Sequence, residues 1–348
     1  MGDKTTHTNA DLHYAVELVH ATCCLAGSAS YLDDVRADLG DCGIIRAITD
    51  HDTAVLFDWL VEMLSFQGIS DSVAAGYIAQ HGSVCWADIA DGLSRTPSCP
   101  KLVGYWRFHD CRYHKGSGTC AEPGHIKACR LPRHPLRNGR LHQMAYSLFL
   151  FMRDVADNDF VGWIDRQLDA VNSHGPDRFA ALREAIIGPL RNVYGVADKV
   201  LAMALSNLLL GGAGNRQSLW VEVGATFVAV DTLVHNFLHR TGILQRLSAD
   251  HPYGNRCYRP GGCAGILHLL AAHIDARQFN PAFPATFPRF VQSAIWRYCA
   301  EDGLAICNGN RIDDDARCEN RHCQLFRRCD RIALRGERLD REKITQNQ

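Results

Sequence analysis

Eight stretches of this chain repeat apolar residues at three- and four-residue intervals, and no other feature constrains its fold as much. They are residues 12–24, 54–79, 143–155, 160–171, 179–190, 199–210, 230–239 and 265–276. That spacing puts one apolar stripe along a helix. Alternating, strand-like runs are few; residues 226–230 form the best one, and it is short. Gly and Pro breakers fall between the periodic stretches, at Gly82, 97–100, 132–135, 175–176, 211–214, Pro252 and 281–288. The pattern predicts an all-α protein of about ten helices, with no repeat of 20 to 50 residues.

A chain of 348 residues is long enough for two helical domains. No apolar run approaches the roughly 20 residues needed to span a bilayer, so a membrane partner is not expected. The first 25 residues carry Asp3, Asp11 and Glu17 and lack the basic start of a secretory signal, which makes a cytoplasmic (in a bacterium, nucleoid-associated) monomer the expectation. Fifteen cysteines are then too many for packing alone, and in a reducing compartment clustered thiols more often bind metal than form disulfides. Cys23, Cys24, Cys42 and Cys85 stand apart in helix-like surroundings and read as core residues.

The net charge of -1 hides an uneven distribution. Ten Lys and Arg lie between Arg95 and Arg140 against Asp110 and Glu122, and six Arg between Arg317 and Arg335 against Glu319 and Asp330. Two basic segments on a neutral chain predict a polarised surface of the kind that meets a phosphate backbone. Residues 95–142, rich in Cys, His, Arg, Gly and Pro, read as an irregular insert rather than a packed helix pair.

One helix is expected to end near Tyr194, a tight turn to carry Gly195, and a second helix to begin at Asp198 and run through Lys199. Such a hairpin offers backbone amides and a positive helix end to a phosphate. Further on, Val230-Asp231-Thr232-Leu233-Val234-His235 leads to His239-Arg240-Thr241-Gly242. An aspartate in that position caps a helix. In this order, the two elements resemble the endonuclease III branch of the helix-hairpin-helix DNA glycosylases. Upstream, Leu64-Ser65-Phe66-Gln67 resembles that family's L-S-x-Q helix. The resemblance implies Lys199 as the nucleophilic lysine and Asp231 as the essential aspartate. It implies DNA contacts at Gly195, Ala197 and Arg240, with Gln67 as a wedge beside the extruded nucleotide. The chain departs from the pattern at Ala197, where the family has a second hairpin Gly, and at Tyr194, where Pro is common.

Near the C-terminus the spacing is Cys307-x10-Cys318-x4-Cys323-x5-Cys329. Four thiolates can hold a [4Fe–4S] cluster or a zinc ion. The resemblance implies the cluster, with Arg321, Arg327 and Arg328 on a DNA-contacting loop and Cys299 as a spare ligand. In the insert, Cys111, His114, Cys120, His125 and Cys129 suit zinc, the alternative being a disordered loop or one ordered by DNA, and Tyr105, Trp106 and Tyr113 suit base stacking. Cys257-x5-Cys263 reads as a surface turn or as part of another site.

The architecture so implied is all-α, with two helical domains flanking a DNA-binding cleft. One covers residues 51–244, including the insert at 95–142; the other joins 1–50 to 245–335, with a charged tail at 336–348. The implied activity is excision of a damaged or modified base from double-stranded DNA, with strand cleavage through a Lys199 Schiff base. A damage-specific DNA-binding protein on the same scaffold is the alternative. Phe66, Phe149, Phe151 and His142 are candidate walls for the base pocket.

Overall fold

The computed structural model describes residues 8–65, 71–94, 99–111, 113–114, 119–120, 142–175, 177–212 and 217–335. The chain divides into two compact units, one built from residues up to Asp34 together with those from Gly224 onward, the other from Val35 to Val223. We call them the terminal and central units. The boundaries differ from the expected ones at 50/51 and 244/245. Residues 232–246 pack against the helices from the two ends of the chain, so they belong to the terminal unit.

Sixteen α-helices occur among the described residues. The terminal unit opens with α1 (Asn9–Ala26), capped by Thr8, whose side chain accepts from the Asp11 N–H. The unit boundary falls within α2 (Tyr31–Asp41). The central unit continues with α3 (Ile44–Thr49), α4 (Thr53–Ser65), α5 (Asp71–His81), α6 (Trp86–Ser94), α7 (Tyr105–Phe108) and α8 (His142–Asp154). It closes with α9 (Phe160–Asp169), α10 (Arg178–Leu190), α11 (Asp198–Gly211) and α12 (Gln217–Gly224). The single periodic stretch expected over 54–79 is two helices, α4 and α5.

Helix α4 is the hub of the central unit and packs against α3, α6, α8, α9 and α11. Its buried stripe of Leu56, Phe57, Leu60, Val61 and Leu64 follows the helical period. Phe57 meets Trp86 edge-on, with ring centroids 5.4 Å apart, and Trp86 lies 4.2 Å from Phe149. Trp163 stacks on Phe160 and meets Phe151 edge-on. Phe149 and Phe151 are therefore core residues. Part of the expected irregular insert also joins this core. Leu102, Tyr105 and Phe108 are buried, and the Tyr105 N–H donates to Asp154 at 2.7 Å. Tyr105 is thus unavailable for base stacking, whereas Trp106 is 72% exposed. Two-residue strands pair Tyr113 with Cys120 and His114 with Thr119.

The terminal unit resumes with α13 (Thr232–Arg240), α14 (Ile243–Arg246), α15 (Cys263–Ala271) and α16 (Pro288–Cys299). Helices α1 and α16 form its main packed pair, joined by α13, α14 and α15. Phe279, Phe283, Phe287 and Phe290 fill the space near Tyr31. Residues 300–335 follow as turns and irregular backbone without a helix. The best strand candidate, 226–230, is not part of a sheet. Its buried backbone is satisfied by side chains instead: the Tyr258 hydroxyl accepts from the Val230 N–H at 2.7 Å and donates to its carbonyl at 3.2 Å, as a buried segment requires. Of the four cysteines expected in the core, Cys23 is buried, Cys85 is partly so, and Cys24 and Cys42 are exposed. No helix among the described residues is long and apolar enough to cross a membrane.

Candidate metal centre

Two groups of cysteines in the terminal unit are gathered by the fold, and helix α13 contributes to both. At its start, Asp231 has extended backbone and its Oδ1 accepts from the Val234 N–H at 2.9 Å. The buried segment before it and this cap fix the half-buried carboxylate in place. One turn on, His235 faces inward, and the far end of the helix carries Arg240.

Cys307, Cys318, Cys323 and Cys329 all line one cavity. Its empty volume is about 330 Å³ including the part open to solvent, and α13 contributes Phe237 and Arg240, with its C-cap Thr241, to the wall. Arg240, expected on the DNA surface, is instead 2% exposed. Its Nη2 donates to Asp314 at 2.6 Å, while its Nη1 is buried without a hydrogen-bond partner among the described residues. The Asp314 carboxylate makes burial of that cation tolerable. Cys307 is acidified by a hydrogen bond from Cys299 and by the Arg240 charge, in spite of burial. Cys299 keeps its proton because it is buried and donates to Cys307. The Tyr298 hydroxyl lies 3.2 Å from the Cys323 sulfur. Burial, with the neighbouring sulfurs, pushes Cys329 up to about 12. Four thiolates can therefore coexist here only beside a cation.

The second group is His235, His251, Cys257 and Cys263. All four are buried, and their ligating atoms lie within 4.8 Å of one another. Among the described residues it is the one group of three or more His, Cys, Asp or Glu drawn so close, and it can hold a metal ion. Helix α13 supplies His235, the 248–262 loop supplies His251 and Cys257, and Cys263 opens α15. The loop can turn this tightly because Gly262 has no side chain; a Cβ there would lie 2.1 Å from the Arg256 carbonyl oxygen. Cys257 is the acidic member of the Cys257–Cys263 pair, chiefly because Cys263 donates to it. The sequence holds the signal as His235-x15-His251-x5-Cys257-x5-Cys263. Only its Cys pair stood out by spacing, since His235 reads as part of the V-D-T helix.

The remaining expected site residues are divided between the two units. Lys199, the second residue of α11, is half-buried in the central unit, whereas Asp231 belongs to the terminal unit. Gly195 has φ +73°, a left-handed turn between α10 and α11, and Ala197 is the extended residue preceding α11. That turn needs glycine because a Cβ disfavours positive φ. Helices α10 and α11 pack on each other, and Arg191 donates to Asp198 at 2.9 Å. Arg321, Arg327 and Arg328 are exposed. Cys111 lies 3.3 Å from the Gln143 amide and its carbonyl accepts from the Tyr194 hydroxyl. Gln67, Phe66, His125 and Cys129 lie outside the described residues, as do the side chains of Tyr113, His114, Cys120 and His142. Comparison of the chain with protein-family models, curated proteins and solved structures returned no match.

Proposed function

We propose that the protein is a base-excision DNA glycosylase that carries a [4Fe–4S] cluster on Cys307, Cys318, Cys323 and Cys329. The observation that carries the reading is the cavity. Four cysteines singled out by spacing line one space, walled by the far end of the helix that Asp231 begins. The unpartnered Arg240 Nη1 suits the sulfur of an anionic cluster, and hydrogen bonds to sulfur are an ordinary feature of such sites. Four cysteines around one cavity are the ligand set of a [4Fe–4S] cluster as of a zinc ion, and the resemblance favours the cluster. The cluster's part is to order residues 300–335 and the exposed Arg321, Arg327 and Arg328.

In the reaction, the C1′–N bond of an extruded nucleotide breaks and the electron pair leaves with the base, which takes up a proton. The sugar becomes cationic, and Asp231, fixed at its helix cap, stabilises that charge or deprotonates an attacking water. If the Lys199 amine attacks C1′ instead, loss of its proton and ring opening give a Schiff base. The target base must leave the stack first. One observation favours the alternative of DNA binding without cutting: the Asp231 carboxylate already has a structural task at the helix cap.

A cleavage screen on duplexes carrying single damaged or modified bases tests the proposal, comparing wild type with Asp231→Asn and Lys199→Ala. The expected result is base release by wild type and loss of at least about a hundredfold in Asp231→Asn. Borohydride is expected to trap an adduct that Lys199→Ala lacks. DNA binding with no release from any duplex favours the alternative, and no DNA binding sinks both.

A further inference from the structure

We infer that His235 Nδ1, His251 Nε2, Cys257 Sγ and Cys263 Sγ bind one zinc ion in a closed, structural site. The first support is metric. Zn–S bonds of about 2.3 Å and Zn–N bonds of 2.0–2.1 Å in a tetrahedron place each sulfur about 3.5 Å from each nitrogen. Cys263 lies 3.3 Å from His235 Nδ1 and 3.4 Å from His251 Nε2, and Cys257 lies 3.6 Å from His235 Nδ1. A Rieske cluster uses the same donor types, but its cysteines and histidines bind different irons. Contacts this short between sulfur and nitrogen fit a single ion.

The second support is orientation. His251 Nδ1 lies 2.6 Å from the Ala249 carbonyl oxygen and donates to it, which in the neutral ring turns the Nε2 lone pair towards Cys263 Sγ, 3.4 Å away. The Ala249 contact is also the usual outer partner of a metal-bound imidazole, fixing its tautomer and direction.

The third support is closure. His235 and His251 are each 6% exposed and both cysteines 0%. Four protein ligands without access for water describe a structural zinc site rather than a catalytic one.

The full-length protein, purified from zinc-supplemented medium without chelators, would be assayed for elemental content and by zinc-edge X-ray absorption. One zinc per chain is expected, with two sulfur neighbours at about 2.3 Å and two nitrogen neighbours at about 2.0–2.1 Å. Cys263→Ala and His251→Ala are expected to lose the zinc and keep any iron, and Cys318→Ala to keep the zinc. Should those variants fail to fold, the wild-type absorption spectrum decides alone. Absence of zinc overturns the inference, and so does a four-sulfur shell, which would put zinc among Cys307, Cys318, Cys323 and Cys329. The test reads metal content and ligand identity only, so it stands whether or not the protein cleaves DNA.

Discussion

The two units are held together by different chemistry. Among the described residues of the central unit the buried polar side chains, Thr53, Ser65, Gln143, Ser147 and Ser206, are all neutral, and aromatic contacts fill the core, Phe57 against Phe149 and Phe151 against Trp163. The terminal unit buries His235, His251, Arg240 and Arg289 along with Cys257, Cys263 and Cys318, and half-buries Cys307, Cys323 and Cys329. It also ends in residues 300–335, which form no helix. A stretch of irregular backbone hides little apolar surface, and burying charge costs free energy unless a partner compensates. One unit can thus rest on packing, while the interior of the other becomes favourable with the ions we propose for it.

The sharpest way to break this comparison is to remove metal. Structural zinc contributes on the order of 10 kcal/mol in apparent binding free energy, comparable to the whole margin of a domain. Metal-free protein should therefore lose amide-exchange protection in α13, α15 and residues 300–335 while α4, α8 and α9 keep theirs. Equal loss in both units, read by exchange mass spectrometry, would erase the contrast. The next effect is Trp163→Ala, which opens a cavity beside Phe151 and Phe160. It should cost about 3–5 kcal/mol by denaturant unfolding, with metal content unchanged. Gly262→Ala forces the loop away from the Arg256 carbonyl. We expect zinc affinity to fall by about tenfold or more, the usual scale for disturbing support around a metal ligand; unaltered affinity in a chelator competition would show that the loop has room to adjust.

The smallest effect concerns the central unit's electrostatics. Asp159 caps α9 and pairs with His51 at 2.7 Å. Burial alone would raise its pKa, but the Gly162 N–H, His51 and Arg166 together lower it. A depressed carboxylate stabilises the fold above its unfolded pKa and loses that contribution as the pH falls through the folded value. Asp159→Ala should thus cost about 1 kcal/mol near neutrality, kept modest by exposure. The difference from wild type should shrink below the ordinary aspartate value of 3.8. A difference that grows on acidification would reverse the assignment.

Much of the fold was legible because helices are local. The period of Leu56, Phe57, Leu60 and Leu64 needs no knowledge of the rest of the chain. The four C-terminal cysteines were legible for the same reason, being close in sequence. His251 was not, because a buried histidine looks like any other until a loop brings it to Cys263. Arg240 misled for a related reason: its charge suggested solvent, and only Asp314, distant in sequence, makes its burial tolerable. Tyr105 looked available for stacking because the basic composition around it masked a short apolar set, Leu102, Tyr105 and Phe108, that packs inward.

Helix α1 packs on α16, on the far side of the central unit in sequence. Protein synthesis proceeds from the N-terminus at about 5–20 residues per second, so the buried face of α1, with Ala15, Leu18 and Val19, waits roughly 10–60 s for its partner to emerge. During that interval the central unit can already close, and α1 is left an unpaired apolar helix in need of shelter. The residues proposed to bind metal are also made after the central unit, so metal delivery and the capture of α1 would fall in the same late interval of synthesis.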